Sequence, residues 1–519
     1  MHAIGNLIRR DSESLLSWKV LRSKRMRVEK IRRVVDPLKN HGLPRLKTNS
    51  TVEFLVVSFS LFFLLLRFWR IGTVPLGFHS DESVALANSI CLRHTGVDLW
   101  GNSWSFFSGG PVNGAGYSVG APSHLFAVYS LWLYLVGDSI AAARSFEVLI
   151  SLIIVACTVG IANNFLGRRG ALWALGLSAI SPWTWSLSRV AFVTPNFLSM
   201  HLFVGLWVIT RHLRRKTGPS NLEVTASGLL LGMAASRYYS ALSTVMIAGF
   251  ISWYLFRRDE PAKRPLVFIG AITATFFAMQ LGLSKYSAKR IAQMSISDEL
   301  RNESSVLGKV TTVIRITWEN LLQHLSPNFL IFHGDSNRRQ HSGWGGELSW
   351  PQILLVALVP VLIVMLKRQP AHYRRERQLA LVASLGAAGG LLTSSATGEL
   401  VNANRALVSA PFLILLCVVV GSVVSARVPL LIVLAIGSGL IYFGLFANNY
   451  FSDYAMSSAR PFHSDIRLAG EEARRTGDFG AFWQRLPEFA KRYGLQSEVG
   501  LVFYEAAGSG RGCPGYKSK

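Results

Sequence analysis

The residues best suited to chemistry are His79-Ser80-Asp81-Glu82, a pair of adjacent acids that follows the first long apolar run of the chain. A carboxylate within hydrogen-bond reach of a hydroxyl can take its proton as the oxygen attacks an electrophilic carbon. Asp81 is the first choice for such a base, with Glu82 beside it. The same two acids would also suit the first turn of a helix, where negative charge meets the positive end of the dipole. His79 and Asp81 together suggest half of a metal site, but two residues do not make a coordination sphere, so neither a metal nor another cofactor is expected.

A second polar segment, Ser326 to His341, contains His333, Asp335, Arg338 and Arg339. Adjacent arginines present planar forks of N–H donors that match phosphate oxygens, and Arg338 and Arg339 are candidates for that role; a solvated loop is the plainer alternative. Arg405, just after Asn402-Ala403-Asn404, opens another apolar run and either reaches the headgroups or lines a cavity. Arg144 and Glu147 are three residues apart at the start of a run and can pair on one helix face, a structural role.

The elements that must position these residues are membrane helices. Half of the 519 residues are apolar and only 16% are charged, with a mean hydropathy of +0.32, which sets aside a soluble enzyme. The net charge of +25 is spread in short clusters between apolar runs, a mark of membrane topology rather than of nucleic-acid binding. Four cysteines, Cys91, Cys157, Cys417 and Cys513, give no disulfide or metal framework. Thirteen Lys or Arg residues in the first 50 form a basic cytoplasmic segment unlike a signal peptide.

About eleven runs approach the ~20 residues that a bilayer requires. They lie near 52–71, 141–162, 171–189, 197–211, 225–238, 240–256, 265–283, 351–366, 378–396, 405–424 and 428–447. With a cytoplasmic N-terminus, fifteen Lys and Arg residues fall in the inner turns, whereas the short outer turns hold only Arg189, Arg237 and Arg405. The C-terminus is then outside. The expected fold is an all-α polytopic membrane protein with a basic segment 1–50, a transmembrane domain 51–447 and an outer tail 448–519. Its long outer loops span about 72–140 and 284–350. The apolar stretch 122–136 reads as an interfacial or re-entrant helix of the first loop. The tail reads as a small α/β module, helical over 465–493 with a strand near 498–505.

Taken in order, these segments resemble the bacterial membrane glycosyltransferases of the C superfamily, in the branch of protein O-mannosyltransferases and aminoarabinose transferases. The resemblance runs to about residue 450. It rests on His79-Ser80-Asp81-Glu82 followed by Thr95-Gly96-Val97-Asp98 and Gly120-Ala121-Pro122-Ser123. It continues through Ala143-Arg144-Ser145, Leu166-Gly167-Arg168-Arg169-Gly170 and Ser181-Pro182-Trp183 to Ser188-Arg189. Phe332-His333-Gly334-Asp335-Ser336-Asn337 and Asn404-Arg405-Ala406-Leu407 complete it. Several relatives carry a lysine before paired prolines where this chain has Gly120-Ala121-Pro122, and an acid where it has Thr194-Pro195-Asn196.

The resemblance implies transmembrane helices, a first outer loop with interfacial helices, and a sugar donor carried on polyprenyl phosphate in a cell (inner) membrane. The acceptor would be a lipid, a glycan or a protein on the outer face. Asp81 would be the base, with Glu82 beside it; Arg338, Arg339 and Arg405 would meet the donor phosphate; His79, Asp98, His333 and Asp335 would line the pocket. Such a reaction needs no nucleotide, because the lipid phosphate is the leaving group and cationic side chains stabilise it. The rival class is a transporter or flippase of a lipid-linked or polar substrate, whose charges would cluster midway through spans beside broken helices. Here most acids lie at the outer edge.

Overall fold

The computed structural model describes residues 50–97, 123–192, 194–215, 218–236, 238–255, 263–281, 300, 303–369, 371–397 and 401–493. All eleven expected spans contain helix. α1 is Ser50–Leu65, α2 Ser80–Thr95, α3 Ser123–Val136 and α4 Ile140–Ala179. There follow α5 Pro182–Leu187, α6 Thr194–Thr210, α7 Asn221–Ala235, α8 Tyr238–Leu255 and α9 Lys263–Leu281. After α10, Val306–His324, come α11 Trp350–Ala357 and α12 Val359–Arg368. The bundle ends with α13 Arg374–Ser395, α14 Ser409–Ser425 and α15 Leu430–Phe451. In the tail, α16 covers Ser464–Thr476.

Four of the described helical stretches are each long and apolar enough to cross a bilayer, and α11 and α12 meet the same measure only when taken together, with a bend of 43° between them. The bend falls where Pro360 enters the second position of α12 and cannot donate to the preceding turn. The expected turn between the second and third spans is a single reversal inside α4, at Gly167, whose φ of 68° suits a residue without a side chain. The expected third span, 171–189, is broken: helix stops at Ala179, and Pro182 starts the short α5. α7 and α9 approach closely because Gly228 and Gly232, one turn apart, face them. A Cβ on Gly228 would lie 2.7 Å from that of Ala271, and one on Gly232 2.7 Å from the carbonyl of Ile272.

α3 has the character expected of the 122–136 stretch. Its 14 residues bury Leu125, Phe126, Tyr129 and Leu133 and expose Leu131, Tyr134 and Leu135. The second outer loop holds an element that the apolar runs did not disclose, the amphipathic α10. Leu307, Val310, Ile314, Trp318 and Leu322 line its exposed face, while Thr312, Ile316, Asn320 and His324 turn inward. Asn320 donates to the carbonyls of Ser395 and Thr397, both at 3.0 Å, and so caps the open end of α13. In the tail the described residues are helical, and the expected strand near 498–505 lies outside them. Cys91 is disulfide-bonded, while Cys157 and Cys417 are free and buried.

Three fully buried arginines tie the bundle to the chain that leaves α1. Arg67 donates to Ser151 Oγ at 2.7 Å and the Ser178 carbonyl at 2.9 Å. Arg189 donates to the carbonyls of Arg67, Trp69 (2.8 Å) and Val74 (3.0 Å), with its guanidinium over the rings of Trp185, Tyr450 and Phe451. Arg144 does not pair with Glu147 as its spacing suggested. It binds both oxygens of Glu82, Nε to Oε1 at 2.9 Å and Nη2 to Oε2 at 3.0 Å, and the carbonyls of Pro75 (2.8 Å) and Gly77 (3.0 Å). Glu147 accepts from Asn196 Nδ2 at 2.7 Å instead.

Breaking a fully buried pair strands a charge and costs about 3–5 kcal/mol, against about 1 kcal/mol or less for an exposed one. Glu82→Gln should therefore lower the thermal unfolding midpoint in detergent sharply. Glu319→Gln, which removes the exposed partner of Arg315 on α10, should barely move it. Equal midpoints for the two variants would refute the anchoring role.

Candidate active site

The site is built where α2 begins. His79 is the residue before the first helical turn, with its Nδ1 3.1 Å from the amide of Asp81, and Glu82 Oε2 accepts from the amide of His79 at 3.0 Å. This reciprocal cap fixes the start of the helix. Glu82 is fully buried, and beyond Arg144 and His79 it accepts from the Ala191 amide at 2.9 Å. Both of its oxygens are occupied by these bonds. Asp81 points the other way, with 60% of its side chain exposed.

The second loop brings Arg339 to this place. Asp335, buried, accepts from the amides of Asn337 and Ala403, both at 2.7 Å. Asn337 Oδ1 then accepts from the backbone amide and Nε of Arg339, both at 3.1 Å. Gln340 Oε1 accepts from the Asn404 amide at 2.8 Å. These bonds stitch the loop to the segment before α14 and aim Arg339 Nη1 at His79 Nε2, 2.7 Å away. An arginine only donates, so both ring nitrogens of His79 face donors, the guanidinium at Nε2 and the Asp81 amide at Nδ1. Asp81 Oδ2 lies 3.5 Å from that nitrogen. His79 thus stands between the candidate base and a candidate phosphate-binding cation. Burial first, then the guanidinium of Arg339 and the ring of His463, hold His79 well below the usual histidine range and keep it neutral.

The other expected site residues are placed differently. Arg338 turns its guanidinium back onto the carbonyl of Ser342. Arg405 is buried and does not reach out to headgroups. His333 is exposed and bonds locally to Asn328 Oδ1 at 2.7 Å. Asp98 lies outside the described residues. Among the described residues, no three His, Cys, Asp or Glu side chains are placed to hold a metal ion together.

Three contributors had no sequence signal. His463, in the tail, sits with its ring 5.1 Å from that of His79. It is brought there because the Phe78 amide donates to the Phe462 carbonyl at 2.6 Å, across Gly77, where a Cβ would collide with that carbonyl. Tyr454 Oη donates to the carbonyl of Arg338 at 2.8 Å. Glu347, fully buried, accepts from the Asp335 amide at 3.1 Å, and burial together with the neighbouring Asp335 carboxylate raises its pKa well above the carboxylate range. The His463 sequence context is an ordinary polar tail, and nothing in its spacing pointed to residues hundreds of positions earlier.

Burial and the nearby Arg339 lower His463 to about 4, against the pull of Asp465 and Asp81. A histidine depressed in the folded state is taken up by protons more readily when unfolded, so stability falls as pH drops from about 6.5 to about 4. His463→Gln should flatten part of that decline in thermal midpoint. An unchanged slope would show that His463 carries no such burden.

Residues 121–281, which carry α3 to α9 and both Arg144 and Arg189, match the family model described as dolichyl-phosphate-mannose-protein mannosyltransferase. No curated protein sequence matches the chain. Among solved structures it is similar to ArnT from Cupriavidus metallidurans bound to undecaprenyl phosphate, at 14% identity over 89% of this chain and 78% of that one, with a TM-score of 0.43. It is also similar to the oligosaccharyltransferase AglB from Archaeoglobus fulgidus in complex with an inhibitory peptide and a dolichol-phosphate. That match has 11% identity over 82% of this chain and 58% of that one, with a TM-score of 0.43. The match over residues 121–281 agrees with the resemblance read from the sequence.

Proposed function

We propose that this protein transfers a sugar from a polyprenyl-phosphate donor to a hydroxyl of a lipid, glycan or protein acceptor on the outer face of the membrane. The observation that carries the reading is the Asp81, His79 and Arg339 row, within a chain whose 121–281 segment matches the mannosyltransferase family. An exposed carboxylate stands at one end and a cation at the other, with a neutral imidazole between them.

In this reading Asp81 takes the proton of the acceptor hydroxyl as its oxygen bonds to the anomeric carbon. The bond from that carbon to the phosphate oxygen breaks, and the polyprenyl phosphate leaves with the electron pair. Arg339 commits Nε to Asn337 and one Nη1 donor to His79. Its remaining N–H groups are available to the charge that grows on the leaving phosphate. Arg338 and Arg405 contribute less directly, through the shape of the loop and the segment it is stitched to. A transporter is disfavoured because the charged row lies at the start of α2, next to the membrane end of α1, and not midway through a broken span.

Asp81→Asn keeps the shape of the site and removes the base. Transfer of labelled sugar from a panel of polyprenyl-phosphate donors in membranes should fall about 10²–10⁴-fold. Arg339→Gln should also reduce transfer, and more for the chemical step than for acceptor affinity. Full activity of Asp81→Asn at equal abundance would end this assignment.

A further inference from the structure

A cleft of about 330 Å³ opens at the opposite end of the molecule from the Asp81 site, between α1, the second half of α4, α11 and α15. Its walls are apolar, with Val56 and Phe59 on α1, Trp173 and Leu177 on α4, and Ile436 and Leu440 on α15. Toward the active site it is closed where α1 meets α15, with the rings of Phe63 and Phe443 4.2 Å apart. Gly176 leaves the α4 wall open: a Cβ there would meet nothing nearer than Val56 Cγ1 at 3.8 Å. At the other end stand Arg168, Arg169 and Glu53, and they line the same cleft.

Among the described residues, the charges at this mouth do not cancel. Glu53 pairs with Arg168, yet 79% of the Arg168 side chain remains exposed, and Arg169 is a second exposed cation. An apolar slot that ends in surplus guanidinium groups complements a molecule with hydrocarbon chains and an anionic head. Arg168 lies about 36 Å along α4 from Arg144, counting 1.5 Å per residue. A phosphate held there cannot take part in transfer at Asp81, so this is not the place of the donor.

We propose that the cleft binds one anionic glycerophospholipid, with an acyl chain between α1 and α15 and its phosphate on Arg168 and Arg169. The ligand belongs to the membrane leaflet remote from the active site. Because α1 has few buried residues of its own, the acyl chain supplies packing that the protein does not.

The test uses the full chain purified in detergent and native mass spectrometry of bound lipid, with phosphatidylglycerol, phosphatidylethanolamine and undecaprenyl phosphate as probes. Wild type should retain one phosphatidylglycerol, and phosphatidylethanolamine much less. Arg168→Gln with Arg169→Gln should cut phosphatidylglycerol retention about tenfold or more and erase the preference. Gly176→Leu fills the slot without touching a charge, and should also lose the lipid while unfolding at the wild-type temperature when lipid is absent. Ile436→Phe serves the same purpose from the α15 wall if Gly176→Leu misfolds. Undiminished phosphatidylglycerol on the filled variants, or equal retention of the two phospholipids by wild type, would overturn the proposal. Preferential retention of undecaprenyl phosphate would overturn its choice of ligand.

Discussion

Everything around the candidate site depends on one buried ion pair. Arg144 sits near the start of α4 and Glu82 in the first turn of α2, and the two meet with no exposure to solvent. Burying both charges is tolerable because each is also satisfied elsewhere: Arg144 by the carbonyls of Pro75 and Gly77, Glu82 by the amides of His79 and Ala191. The pair therefore locks together the segment leaving α1, the start of α2, the start of α4 and the turn after α5. Asp81 faces outward because Glu82 faces inward, and His79 is held in place by the same cap.

The division of labour between adjacent acids follows from helix geometry. Successive residues in a first turn point about 100° apart, so one carboxylate can be buried while its neighbour reaches the surface. The sequence shows two acids side by side and cannot say which turns in. That choice is made by Arg144, 62 positions later. The likeliest local partner for Arg144 was Glu147, because three-residue spacing brings side chains together on a helix; the bidentate geometry and the two carbonyls offered by the first loop outweigh it.

What was legible in the chain was whatever repeats locally. The apolar runs located helices at all eleven expected places, and the Gly167 reversal and the short apolar α3 could be read from their residue types. Asp81, His79 and Arg339 were also visible as chemical types, though not their meeting. α10 was missed because only one of its faces is apolar, so its average composition resembles a loop. His463 and Tyr454 were missed because their role comes from backbone contacts made across the whole chain, through Phe78, Phe462 and the Arg338 carbonyl.

The contact between the tail and Gly77 bears on biosynthesis. The segment between α1 and α2 leaves the ribosome long before residues 454–463 exist. Until that last segment has settled on Phe78, the row of His79 and Arg339 lacks the wall that His463 and Tyr454 provide. Membrane insertion and assembly of the site are thus separate events, and the finished site is a property of the completed chain.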